Sequence, residues 1–131
     1  MDTDTFVGVV KTEVHDSGVR EVLEMLERPP GRKPHERLVE LSEWFRALPP
    51  SDRERVCWIV ELAVHSGVFG LLAVLDGVRA IESGANKGSL ELTYSRGAER
   101  QQLTSPSNDF LHDIYQALTY EQVFGGSAGK R

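Results

Sequence analysis

The sequence predicts a mainly α, α+β domain: a bundle of five to six helices around a central apolar helix at 68–83, with one β-hairpin at about 89–104 packed on it. Three observations carry that prediction. Apolar residues recur at three- and four-residue steps through most of the first 83 positions. The span 68–83 is apolar around almost its whole circumference, the mark of a helix surrounded by others. Beyond it, a loop holding Ser83, Gly84 and Gly88 gives way to apolar and polar residues in alternation.

The elements follow in chain order. Phe6, Val9, Val10 and Val14 share one helical face, so residues 4–14 read as a helix, with a strand as the alternative. Asp16 or Ser17 then caps a second helix, whose Val19, Val22, Leu23 and Leu26 face inward while Arg20, Glu21, Glu24 and Glu27 face water. Pro29, Pro30 and Gly31 stop it. Pro34 suits the first turn of a third helix, striped by Leu38, Leu41, Phe45 and Leu48 up to Pro49 and Pro50. Ser51, Asp52, Arg53 and Glu54 have capping-box spacing, which predicts a fourth helix running to Gly67 with Val56, Ile59, Val60 and Ala63 on its apolar face.

Val68, Phe69, Leu71, Leu72, Val74, Leu75, Val78 and Ile81 make the central helix. Leu90, Leu92 and Tyr94, interleaved with Glu91 and Thr93, make a strand; Gly97 turns the chain into a second strand near 100–104. Ser105 with Pro106, or Ser107, starts the last helix, with Phe110, Leu111, Ile114, Tyr115 and Leu118 on one face and a further turn at Tyr120, Val123 and Phe124. A single domain is expected over 1–124 and a disordered Gly/Ser-rich tail over 125–131.

Composition narrows the classes of function. Of 131 residues, 40% are hydrophobic and 27% charged, which is enough apolar material for a packed core. The net charge of −5 disfavours binding to phosphate backbones and anionic lipid. One cysteine, Cys57, allows no intrachain disulfide. The N-terminus is acidic, and the apolar run 68–75 is far short of a bilayer span, so the expectation is a cytoplasmic protein with no membrane contact.

Candidate chemistry is sparse. His15 with Asp16, and His112 with Asp113, form His-Asp pairs of the kind that helical metal-dependent phosphohydrolases use, but no Asp or His follows Asp113 to complete a ligand set. Asp109, His112 and Asp113 share a helical face, read here as solvated charge. Glu61 and His65, four apart, read as a surface pair. Cys57 lies mid-helix in an apolar run, the setting of a buried small hydrophobe and not of a nucleophile. No cofactor motif is present.

More telling are the charges in the most apolar helix. Arg79 is three residues from both Asp76 and Glu82, so an ion-pair ladder is available, either on a solvent edge or in a polar pocket. Arg28, Arg32, Lys33 and Arg37 make the Pro-rich connector basic, suiting contact with a protein more than with RNA. Trp44 and Trp58 sit beside their helices' main stripes, where tryptophan anchors interfaces.

These features favour a noncatalytic protein-interaction domain of a bacterial-type cytosolic protein, with Asp76, Arg79, Glu82, Arg28, Arg32, Lys33, Arg37, Trp44 and Trp58 as binding candidates and no cofactor. Its partner would be another protein; the hairpin edge and the two tryptophans add the expectation of a homodimer. In size and acidic charge the chain is similar to bacterial immunity proteins, which neutralise a toxin by covering it with an acidic surface; no motif supports the likeness. The alternative is a small hydrolase or metal-dependent enzyme using His112, Asp113 and His65.

Overall fold

The computed structural model describes residues 1–125. The chain forms α1 (Thr3–Val10), a π-helical stretch (Lys11–Asp16), α2 (Ser17–Glu27), α3 (Glu36–Ala47), α4 (Pro50–Leu75), β1 (Thr93–Arg96), β2 (Glu99–Gln102) and α5 (Leu111–Phe124). It is a mainly helical α+β fold. Because α1, the π stretch and α2 run on as one rod, there are four helices among the described residues and not five to six.

The rod begins at Asp2, whose carboxylate accepts from the Thr5 amide at 2.8 Å as an N-cap. In the π stretch the backbone takes in an extra residue per turn, and the Ser17 hydroxyl bonds the Thr12 carbonyl five residues back, at 3.2 Å. The consequence is a change of face. Val9 and Val14, inward by simple periodicity, are 41% and 49% exposed, while His15 takes the inward position and is fully buried.

The helix expected at 68–83 does not exist as a separate element. Gly67 does not end the preceding helix; the two run together as the 26-residue α4. The stop comes at Gly77, which adopts φ +77°. There the Val78 amide donates to the Ala73 carbonyl at 3.0 Å and the Gly77 amide to Val74 at 3.0 Å, the two bonds of a Schellman cap. Residues 78–91 are therefore outside any helix and exposed, Val78 and Ile81 included. By length and composition α4 is a helix that could cross a membrane.

Val7, Leu72, Leu111 and Tyr115 form the centre of the core, flanked by Phe6, Val10, Val68, Phe69, Leu75, Leu92 and Ile114. A second junction joins α2 to α3, where the buried Ser42 hydroxyl donates to the Leu26 carbonyl at 2.6 Å beside Phe45. The hairpin pairs Thr93 with Gln102 and Arg96 with Glu99, a shorter ladder than 89–104. It is pinned to the start of α1 by Leu103, whose carbonyl accepts from the buried Thr3 hydroxyl at 3.0 Å. Its four-residue strands carry Arg96, Glu99 and Arg100, which blunts the edge against further pairing. Of the tail expected over 125–131, only Gly125 lies within the described residues.

Candidate functional site

Two buried histidine networks organise the interior. In the first, the π stretch sends the His15 ring between α4 and α5. Its Nδ1 lies 2.6 Å from the Tyr115 hydroxyl, and its Nε2 bonds Glu61 Oε1. Tyr115 is fully buried, and among the described residues this imidazole is its hydroxyl's only partner. A buried hydroxyl needs an acceptor for its proton. Tyr115 therefore donates to Nδ1, which leaves His15 as the neutral Nε2–H tautomer donating to Glu61. Burial first, and then the charges of Glu61 and Asp16, push the Tyr115 phenol well above its ordinary value, so it stays a donor.

The network continues outward. Gln122 donates from Nε2 to Glu61 Oε1 at 2.7 Å and to Asp16 Oδ1 at 3.1 Å, and Lys11 pairs with Asp16 Oδ2 at 2.8 Å. His65 stacks on Tyr115, with ring centroids 5.3 Å apart, and bonds Gln116 at 2.8 Å. Glu61 and His65 thus do not pair with each other on the surface; each turns inward to a different partner.

The second network joins the end of α4 to the start of α5. Asp76 accepts from the backbone amides of Leu111 and His112, both at 2.9 Å, and from His112 Nδ1 at 2.6 Å. An N-cap is normally supplied by the residue just before the helix. Here it comes from 35 residues away, which is why α5 starts at Leu111 and not at Ser105 or Ser107. Phe110 stacks on the His112 ring and Phe69 meets it edge-on. Asp113 reaches the other ring nitrogen at 3.3 Å but is 67% exposed, so the sequence neighbour is the lesser partner.

The expected ladder of Asp76, Arg79 and Glu82 is not formed, because α4 ends before Arg79. Asp76 turns to α5, Arg79 lies across Gly70, with Nη1 2.6 Å from where a Cβ there would stand, and Glu82 accepts from the Gly88 amide at 3.0 Å. In the connector, Arg32, Lys33 and Arg37 are exposed. Arg28 instead lines a cleft on the α2 side. Trp44 is 53% exposed. Trp58 is half-covered and donates from Nε1 to the Val123 carbonyl at 2.8 Å. Cys57 is half-buried in a shallow recess; burial, then the charge of Glu27, push its thiol up, the opposite of what a nucleophile needs. Among the described residues, no three of His, Cys, Asp and Glu are placed to hold a metal ion.

No family model, curated protein or solved structure matches this chain.

A cleft of about 820 Å³ runs along α2. Its α2 wall presents Val19 and Leu23 between Arg20, Glu24, Glu27 and Arg28, and its far side is formed by Glu61 and Gln122. Asp16 also lines it. Burial alone would raise the Asp16 carboxyl, but hydrogen bonds from Lys11 and Gln122, together with the Lys11 charge, outweigh it and hold the group below the ordinary carboxylate value of about 3.9. A carboxyl with a depressed native pKa stabilises the fold above its unfolded value, and that contribution is lost as pH falls through the native one. Asp16→Asn is therefore expected to flatten the acid limb of the stability profile below about pH 4. Urea titrations of both proteins from pH 2 to pH 7 check this.

Of the binding candidates read from the sequence, Arg28 alone lines the cleft. His15, Asp16, Glu61, Tyr115 and Gln122 come from three elements, and the inward turn of His15 depends on the π stretch. The visible signals were the His15–Asp16 pair and the two polar residues, Glu61 and His65, in the apolar part of α4.

Proposed function

We propose that this chain is a noncatalytic protein-interaction domain of cytosolic type that docks a protein partner on the uncovered apolar side of α4. The observation that carries the reading is that only 22% of the most apolar stretch of this helix is buried within the chain. Ile59 and Leu71 are 60% and 61% exposed, and Ala63 and Gly67 continue the same line at four-residue steps with no charge between them. On α3, Leu41 and Trp44 are exposed as well. Apolar surface of this extent is a docking surface or an aggregation hazard.

Glu61 and His65, midway along α4, hydrogen-bond to the π stretch and α5, which supports a globular domain over a membrane span. The enzyme alternative has less support. His65 and His112 belong to separate networks with the Phe69 ring against each of them, and Asp113 points to water.

Capture from the native host with wild type and the double variant Ile59→Glu, Leu71→Glu tests the proposal, alongside light scattering of the purified proteins. One stoichiometric protein partner, or a dimer of this chain, is expected for wild type and is lost in the variant. A wild-type monomer that recovers no protein partner contradicts it, as does a complex indifferent to both substitutions.

A further inference from the structure

The chain exposes more surface than a compact monomer of its size. Folded monomers of 14.6 kDa show about 6,900 Å² to solvent, whereas this chain shows 9165 Å². Even with residues 126–131 credited with the whole surface of unfolded chain, about 800 Å², the surplus stays at about 1,400 Å². A stable dimer needs about 800 Å² from each partner. The uncovered surface therefore suffices for an interface of standard size, and the uncharged side of α4, with Ile59 and Leu71 exposed on it, supplies its apolar centre.

The shape of that side fits a copy of itself. Ile59, Ala63, Gly67 and Leu71 make a ridge at four-residue steps over about 18 Å, with small residues at the centre and large ones at the ends. Helices that interdigitate such ridges cross at about −50°, so they are closest at the crossing point and splay apart on either side of it. A small centre permits the close approach, and large flanks fill the splay. A two-fold interface uses the same patch on both subunits, so the patch must complement itself in this way. Gly67 has no explanation within its own chain. A Cβ there would meet nothing within 4 Å, yet glycine inside a helix costs about 1 kcal/mol against alanine. The ridge also carries no charge with which to select a charged partner, and the net charge of −5 opposes an anionic membrane surface. We propose, resting on the docking surface assigned to α4 above, that its occupant is a second copy of this chain. The two α4 helices cross at Ala63 and Gly67, and Ile59 and Leu71 of each copy close the two ends of the contact.

Sedimentation velocity of the full chain up to high micromolar concentration tests the proposal. Wild type is expected to sediment as a dimer. Gly67→Leu, whose Cβ enters open space in its own chain, keeps the circular dichroism and cooperative unfolding of wild type but sediments as a monomer. Gly67→Ala weakens the dimer by about tenfold or more, as overpacking of a close contact does. In a lone chain the same alanine would only favour the helix, so the loss of association separates an interface role from a structural one. A wild-type monomer overturns the proposal, as does a dimer that survives Gly67→Leu, since that dimer is built elsewhere. Capture from the native host distinguishes this failure from failure of the docking surface itself. A different protein recovered by wild type and lost in Ile59→Glu, Leu71→Glu keeps the surface and overturns the dimer, whereas a monomer with no protein partner removes both. A monomer that co-sediments with phosphatidylcholine vesicles assigns the face to lipid and likewise overturns the dimer.

Discussion

Replacing Asp76 by alanine is expected to lower the unfolding free energy by roughly 3–5 kcal/mol, since it orphans two helix-terminal amides and a histidine at a buried junction, each charge-assisted bond being worth about 1.5–3 kcal/mol less compensation. The side chain is only 2% exposed, so water cannot take its place without rearrangement. The loss is also tertiary: the same carboxylate that caps α5 follows directly on the last residue of α4, and cutting it frees the two helices that carry Leu72, Leu111 and Tyr115. Asp76→Asn keeps an acceptor for one amide and should cost less. Asp113→Ala, at an exposed position beside the same histidine, should fall within about 0.5 kcal/mol of wild type. Urea unfolding of the three variants checks the order; an alanine variant as mild as Asp113→Ala would remove the capping role.

His15→Ala should cost about 3–5 kcal/mol, combining a cavity in the core with an unpartnered Tyr115 hydroxyl. Tyr115→Phe keeps the ring and removes only the proton donated to Nδ1, so about 1–3 kcal/mol is expected. The two losses should not add, because they break the same bond. The tyrosine also sets an alkaline limit. Its native pKa is raised by burial, with the Glu61 and Asp16 charges adding, so the unfolded chain releases the phenol proton first. The resulting stabilisation is complete below the ordinary value of about 10 and is lost as pH rises toward the native one. Tyr115→Phe should therefore be less sensitive than wild type to denaturation between about pH 9 and pH 11. Chemical denaturation at stepped pH measures the difference.

The parts of the fold that were legible in the sequence are those decided locally. α3 lies between a proline-rich entry and Pro49 as expected, although it starts at Glu36, past Pro34, and Leu41 of its stripe is exposed while Ser42 is buried. The α2 stop at Pro29 and Pro30 and the turn at Gly97 rest on the same kind of local backbone preference. Misreadings arose where tertiary contacts decide. Gly67 is a natural stop in isolation, yet the cost of about 1 kcal/mol for glycine within a helix is small against the packing of Phe69 and Leu72 one turn later. Gly77 is the real stop, since its left-handed backbone allows both Schellman bonds. The π stretch rotates Val14 out and His15 in, and nothing in the apolar spacing of residues 6–14 announces it. The candidate site was legible only as stray polarity. Glu61, His65 and Asp76 stood out as charges or imidazoles in apolar surroundings, but their partners, His15, Gln116 and His112, lie 36 to 51 residues away.

The relay from Tyr115 through His15 to Glu61 underlies both the packing of the core and the charge facing the cleft, and its direction can be read directly. Nitrogen-15 spectra of the histidine rings at neutral pH should show His15 as the neutral Nε2–H tautomer, with Nδ1 unprotonated and its ring signals moved by Tyr115→Phe. An imidazolium, or the Nδ1–H tautomer, would contradict the relay.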